Sequence, residues 1–137
     1  MIAGIGTDLI TVERMDRIWK RHGHRLAAHI LSAEEHREFR AHQVKESEPA
    51  RWLAKRWAAK EAFGKAAGTG MRAPVKWSAI TVIHDPLGRP SFSFAPFLRA
   101  WLHRQGIDQT HLSISDERDI ACAFVVIERK DETNAVA

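Results

Sequence analysis

The sequence predicts one α+β domain, in which an antiparallel sheet packs against one long helix. Three features carry that expectation. Residues 49–67 are rich in Ala and Lys, open with Pro49 and stop at Gly68, which is the punctuation of a helix. Residues 78–94 alternate in polarity around Asp85-Pro86-Leu87-Gly88, a turn with proline at its second position and glycine at its fourth. Residues 111–128 form a second pair of strand-like runs around Asp116-Glu117-Arg118-Asp119.

At its start the chain is short-stepped and apolar: Ile2, Ile5 and Leu9 are separated by Gly4 and Gly6. This reads as a buried strand whose glycines mark the close approach of another backbone or a ligand. Thr11 then caps a helix running to about His22. Its apolar stripe is Met15, Ile18 and Trp19, and its opposite stripe is Arg14, Arg17 and Arg21. Residues 24–31 suggest a short helix or turn. Ser32 and Glu35 form a capping box for a helix to about His42, followed by a polar loop through Glu48. After the long helix and a loop containing Pro74, Ser78–His84 and Arg89–Phe94 make a hairpin. Residues 95–105 form an amphipathic helix with Phe97, Leu98, Trp101 and Leu102 inward, ended by Gly106. His111–Ser115 and Ile120–Glu128 are the last strands. The domain is therefore expected over residues 1–128. The tail 129–137 has no periodicity and is expected to be disordered.

The 137 residues can bury one core without disulfide staples. The single cysteine, Cys122, has no internal partner and is expected to be a buried, inert thiol. Residues 1–10 lack the basic and apolar regions of a signal peptide, and no apolar run reaches membrane-spanning length. A reducing, cytoplasmic setting is the default. A net charge of +4 favours an anionic partner, which can be nucleic acid, a phosphorylated small molecule or an acidic protein.

The residues with most chemical meaning lie in 56–70. Leu53, Trp57 and Glu61 fall on one helical line, so a carboxylate interrupts an apolar stripe, and Lys65 stands one turn beyond it. A surface ion pair and a glycine cap explain this pattern; so does a site for a metal ion and a phosphate. Asp8 ends the first strand and offers a second hard oxygen ligand, since Mg²⁺ takes one or two protein carboxylates together with water and phosphate oxygens. Gly68-Thr69-Gly70 lacks the spacing of a P-loop, and a helix C-terminus carries the wrong end of the dipole for an anion. Any phosphate grip there needs backbone amides, helped by Lys65. His22-Gly23-His24 has no zinc-ligand spacing. His111 stands at a strand start, where its ring can project into a cleft. The five tryptophans among basic residues raise a second reading, a basic nucleic-acid-binding module, although most of them fall on apolar helical faces.

Four segments in register point further. Ile5-Gly6-Thr7-Asp8-Leu9-Ile10, Leu53–Ala62 continuing into Lys65–Gly70, Gly88-Arg89-Pro90, and His111–Ser115 followed by Ala121-Cys122-Ala123 resemble the holo-[acyl-carrier-protein] synthases. These are the small bacterial family of 4′-phosphopantetheinyl transferases. The resemblance spans Ile2 to Glu128. It implies Mg²⁺-dependent transfer of the phosphopantetheine arm from coenzyme A to a serine of apo acyl carrier protein, releasing adenosine 3′,5′-bisphosphate. It makes Asp8 and Glu61 the metal ligands, and Glu61 and Lys65 the catalytic residues. Arg56, Lys65, Gly68, Thr69, Gly70 and His111 become the coenzyme A pocket. Arg14, Arg17 and Arg21 would meet the acidic helix of the carrier protein. It further implies a homotrimer with sites at subunit interfaces, serving cytoplasmic fatty acid biosynthesis, with no nucleic-acid or membrane partner. Where many relatives have histidine after Ser-x-Ser, this chain has Asp116. Both Glu61 and a water on the metal stay open as the base that takes the serine proton.

Overall fold

The computed structural model describes residues 1–45 and 48–131. Its elements are β1 (Ile2–Thr11), α1 (Val12–His22), α2 (His24–Ile30), α3 (Ala33–Lys45), α4 (Pro49–Ala67), a 3₁₀ turn (Trp77–Ala79), β2 (Ile80–His84), β3 (Pro90–Phe94), α5 (Pro96–Arg104), β4 (Ile107–Glu117) and β5 (Ile120–Arg129). Among them β1, β5 and β4 form an antiparallel sheet in that order, while β2 and β3 pair as a separate hairpin. The mixed helix and antiparallel-sheet domain expected from the pattern is present.

Local signals act where the sequence places them. Thr11 Oγ1 accepts the Arg14 amide at 3.1 Å and starts α1. In the capping box, Glu35 N donates to Ser32 Oγ at 3.2 Å and Ser32 N to Glu35 Oε1 at 3.0 Å. Asp85 Oδ1 holds the amides of Leu87 and Arg89 at 2.8 and 2.9 Å, closing the hairpin turn.

The glycines of β1 decide how the sheet meets α4. A Cβ on Gly6 would lie 1.9 Å from the Ala62 carbonyl oxygen, and one on Gly4 2.0 Å from that of Ala66. Two strand residues advance about 6.6 Å and four helix residues about 6 Å, so the strand runs along the helix with its alternate residues in step. Asp8 is the next member of the series 4, 6, 8. The close backbone approach foreseen for these glycines is to α4 itself.

That packing corrects the expectation that β1 is buried. Ala121, Ala123, Val125 and Ile127 of β5 are covered, whereas Ile5, Leu9 and Phe124 remain 60, 59 and 45% exposed. Strand pairing puts Ile5 opposite Val126, Thr7 opposite Phe124 and Leu9 opposite Cys122, so all six share the outer sheet face. Cys122 is accordingly only half-buried. Phe97, expected inward, is 50% exposed; Leu98 and Leu102 alone of the four named residues are buried. Ser78 belongs to the 3₁₀ turn, and β4 starts at Ile107. Of the stretch expected as a tail from 129, Arg129 ends β5, and the Met1 amine reaches Asp131 Oδ1 at 3.0 Å. Residues 132–137 of that tail, and 46–47 of the polar loop before α4, lie outside the described residues.

One ionic group crosses the core. Lys60 Nζ donates to Glu35 Oε1 and to the Ile30 and Trp77 carbonyls at 2.6, 2.6 and 2.9 Å, and Glu35 Oε2 accepts the Val82 amide at 3.0 Å. The pair joins α2, α3, α4, the 3₁₀ turn and β2. Burial lowers the Lys60 pKa, and the Glu35 charge opposes that shift. No helix among the described residues is long and apolar enough to cross a membrane.

Candidate active site

Asp8 and Glu61 come together because β1 runs in step with α4. Lys65 Nζ donates to Asp8 Oδ1 at 3.1 Å and to the Thr7 carbonyl at 2.9 Å. The lysine thus pairs across to the strand rather than with Glu61 on its own helix. Glu61 has its pKa raised above the ordinary carboxylate value, first by burial and then by the Asp8 charge, while Lys65 and Arg14 pull it back. Two carboxylates that repel each other at a partly open surface suit one hard divalent cation. No cluster of three or more His, Cys, Asp or Glu that could hold a metal occurs among the described residues. Two carboxylates are a donor set that fits Mg²⁺, which leaves most of its positions to water and substrate oxygens.

Gly68-Thr69-Gly70 closes α4. Gly68, at φ 77°, is the left-handed cap, and the amides of Thr69 and Gly70 donate to the Gly64 carbonyl at 3.2 and 3.0 Å. Gly64 allows this fold-back, since a Cβ there would meet the Gly70 backbone at 2.9 Å. The amides of Thr69 and Gly70 are engaged by the helix, and the Thr69 hydroxyl donates to the Gly70 carbonyl at 2.8 Å, so what this end presents to a phosphate is the exposed Lys65.

Arg56 is not brought to the carboxylates. It lies five positions before Glu61, about 140° around the helix, and the acidic charges acting on it are Glu35 and Glu38. Its guanidinium sits 3.8 Å over the Trp52 ring, and its buried Nε has no hydrogen-bond partner among the described residues. With Lys55, His84, Gly88, Pro90, Ile114 and Asp116 it lines a cavity of about 200 Å³. Lys55 and Arg56 bring two cations to this hollow against the carboxylate of Asp116, and burial, then the Arg56 charge, lower the His84 pKa. The β2–β3 hairpin that helps to build it carries Gly88 and Pro90. Residues 55 and 84 were not singled out in the sequence; the Gly88-Arg89-Pro90 motif was the signal pointing to this corner.

His111 stands apart as well. It pairs with Val126 on the outer face, opposite the face under α4, and its Nε2 lies 2.6 Å from Glu128 Oε1. Arg14, Arg17 and Arg21 are exposed on α1. Arg17 is held by Glu13 at 3.3 Å, and Arg14 is near enough to act on Glu61. Trp52 is buried and the other four tryptophans pack partly buried against the core: Trp57 and Trp77 stack with centroids 4.7 Å apart, and Trp19 meets Phe39 edge-on at 5.4 Å.

Residues 4–125 match the model of the 4′-phosphopantetheinyl transferase superfamily. A holo-[acyl-carrier-protein] synthase of Laribacter hongkongensis is 53% identical over 128 residues, covering 93% of this chain and 99% of that protein. One from Nitrosospira multiformis is 50% identical over 129 residues, covering 94% of this chain and 100% of its own. The crystal structure of the Neisseria meningitidis holo-[acyl-carrier-protein] synthase superposes with a TM-score of 0.88 at 47% identity, over 94% of this chain and 100% of that one. The Bacillus anthracis enzyme, solved in complex with coenzyme A (3′,5′-ADP), gives 0.77 at 32% identity, over 95% of this chain and 99% of that one. The chain belongs to the 4′-phosphopantetheinyl transferase superfamily. Within it, the chain is an enzyme of the holo-[acyl-carrier-protein] synthase kind.

Proposed function

We propose that this enzyme moves the 4′-phosphopantetheine arm of coenzyme A onto a serine of apo acyl carrier protein in the presence of Mg²⁺, releasing adenosine 3′,5′-bisphosphate. The observation that carries the proposal is the Asp8–Glu61–Lys65 cluster, two mutually repelling carboxylates with one exposed ammonium beside them. Asp8 and Glu61 would hold Mg²⁺, which when bound polarises the diphosphate and neutralises its charge. The serine hydroxyl passes its proton to Glu61 or to water as its oxygen bonds to the β-phosphorus, and the bond from that phosphorus to the bridging oxygen breaks, leaving the electrons on adenosine bisphosphate. Such transfer depends on positioning and charge neutralisation more than on covalent help from the protein. Lys65, 53% exposed and held by Asp8 and the Thr7 carbonyl, can turn its ammonium to the leaving phosphate.

Arg56, with Thr69 and its flanking Gly68 and Gly70, supplies further contacts to coenzyme A in this reading. Arg56 lies on the opposite flank of α4 from the carboxylates, and His111 on the opposite face of the sheet. A single copy therefore divides the site, and a neighbouring copy placed against the apolar outer face would complete it. That division supports the homotrimer implied by the family resemblance. Arg14, Arg17 and Arg21 offer an acidic carrier protein a basic docking helix, which favours fast, oriented encounter. The reaction would serve fatty acid biosynthesis in the cytoplasm.

Incubation with apo acyl carrier protein, coenzyme A and Mg²⁺, read by mass spectrometry, tests the proposal. A carrier protein heavier by the phosphopantetheine arm is the expected result. An unmodified carrier at every Mg²⁺ concentration would overturn it.

A further inference from the structure

We propose that Arg51 is a positioning residue, which pairs with Asp116 to keep a carboxylate from opposing phosphate in the Lys55–Arg56–His84 cavity. This rests on the reading of that cavity as part of the coenzyme A site. Among the described residues, Asp116 is the one acidic residue lining it. It follows Leu112 and Ile114 on the inner face of β4, where side chains alternate along the strand. Left ionised and unpaired there, it would repel the anion that Lys55 and Arg56 attract.

Arg51 lies one turn before Lys55 on α4. Its Nη1 is 3.2 Å from Asp116 Oδ2, with the two side chains only 29 and 32% exposed. The same guanidinium donates through Nη1 to the Glu117 carbonyl and through Nη2 to the Arg118 carbonyl. One planar fork thus holds three oxygens of the β4–β5 turn, a geometry open to Arg and not to Lys. Two effects are combined in it. The turn is fastened to α4, and the Asp116 charge is satisfied away from the cavity. Nothing local in the sequence announces the pair, because its members are 65 positions apart.

The test measures kcat, and KM for coenzyme A, at saturating apo carrier protein. Arg51→Ala frees the Asp116 carboxylate and should raise KM about tenfold, equal to about 1.4 kcal/mol, with kcat nearly unchanged. Asp116→Asn alone keeps the carbonyl contacts of Arg51 and should lower KM. Adding Asp116→Asn to Arg51→Ala should bring KM back to within about threefold of the parent, because the repelling charge is gone. An unchanged KM in Arg51→Ala, a raised KM in Asp116→Asn, or no rescue in the double variant each overturns the charge-cancelling role. Failure to rescue with a lowered melting temperature identifies Arg51 as a turn staple alone. Arg51→Lys, which keeps charge without the fork, serves if Arg51→Ala does not fold, and Asp116→Asn should lower its KM too. A parent that modifies no carrier protein overturns the functional reading and this one with it. An active parent with unresponsive variants overturns this one only.

Discussion

Lys60 Nζ lies 2.6 Å from Glu35 Oε1 with both side chains fully buried, directly beside Glu61 in the chain and turned the other way. Removing the cation would leave the Glu35 carboxylate enclosed without its charge partner. Lys60→Met should therefore cost about 3–5 kcal/mol, a large share of the ~5–15 kcal/mol that holds a domain together. Urea unfolding checks this; a loss under about 1 kcal/mol would mean that the pair is dispensable. Adding Glu35→Leu should recover only part of the loss, since the Val82 and Ser32 amides also use that carboxylate.

Glu61 makes the metal-free protein sensitive to pH. Its folded pKa is raised above 4.5 by burial and by Asp8. The folded chain therefore holds the proton more tightly than the unfolded chain, and stability falls as pH rises from the unfolded value through the folded one. Glu61→Gln removes that loss. In chelator near neutral pH it should melt a few degrees higher than the parent, with the difference fading below about pH 4.5. Mg²⁺ should raise the parent's melting temperature and leave that of Glu61→Gln where it is. Melting curves in chelator and in Mg²⁺ decide the matter, and a variant less stable than the parent in chelator contradicts it.

Gly6→Ala should separate β1 from α4. The added Cβ meets the Ala62 carbonyl at 1.9 Å and the Ala66 nitrogen at 2.8 Å, backbone atoms that cannot turn aside. A loss of about 1–3 kcal/mol is expected from the overpacking. Transfer should fall further than stability explains, because Asp8 moves with the strand. Rate and unfolding midpoint measured on the same preparation separate the two effects.

Complementation tests the divided site. Arg56→Gln and Glu61→Gln should each be nearly inactive alone. Mixed and allowed to exchange subunits, they should recover up to about a quarter of parental activity, since random assembly pairs an intact flank with an intact flank that often. If both flanks of one chain served the same site, mixing would restore nothing.

The three arginines of α1 should behave unequally. Arg21→Glu should raise KM for the carrier protein about tenfold and weaken its salt dependence, with coenzyme A binding unaffected. Arg17→Glu should do less, because Glu13 already holds that arginine. Arg14→Glu should also disturb Mg²⁺ binding, since Arg14 acts on Glu61. Steady-state kinetics at several salt concentrations distinguish them.

What the sequence made legible was local or repeated. The Ser32–Glu35 box, the Asp85–Gly88 turn, the Pro49 start and the Gly68 stop each act within a few residues, so spacing reveals them. The Asp8–Glu61 pairing rests in the sequence on Asp8 at a strand end, on the ligand needs of Mg²⁺ and on family resemblance, and the matched rises of strand and helix explain how the fold brings the two together. Partners set by tertiary packing were not legible. Glu35 reads as a cap and also neutralises Lys60; Arg51 reads as one more helical cation and in fact fastens a distant turn. Face assignments failed for a related reason. Ile5 and Leu9 look like core residues because apolar residues usually are, yet Gly4 and Gly6 take the side facing the helix.

The placement of Arg56 and Glu61 on opposite flanks of α4 has a quantitative consequence. In the assembly proposed above, every copy forms half of one site and half of the next, so no free subunit can turn over substrate. Specific activity then ceases to be a constant of the molecule. It should fall on dilution through the dissociation range and recover on concentration, with a lag set by reassembly.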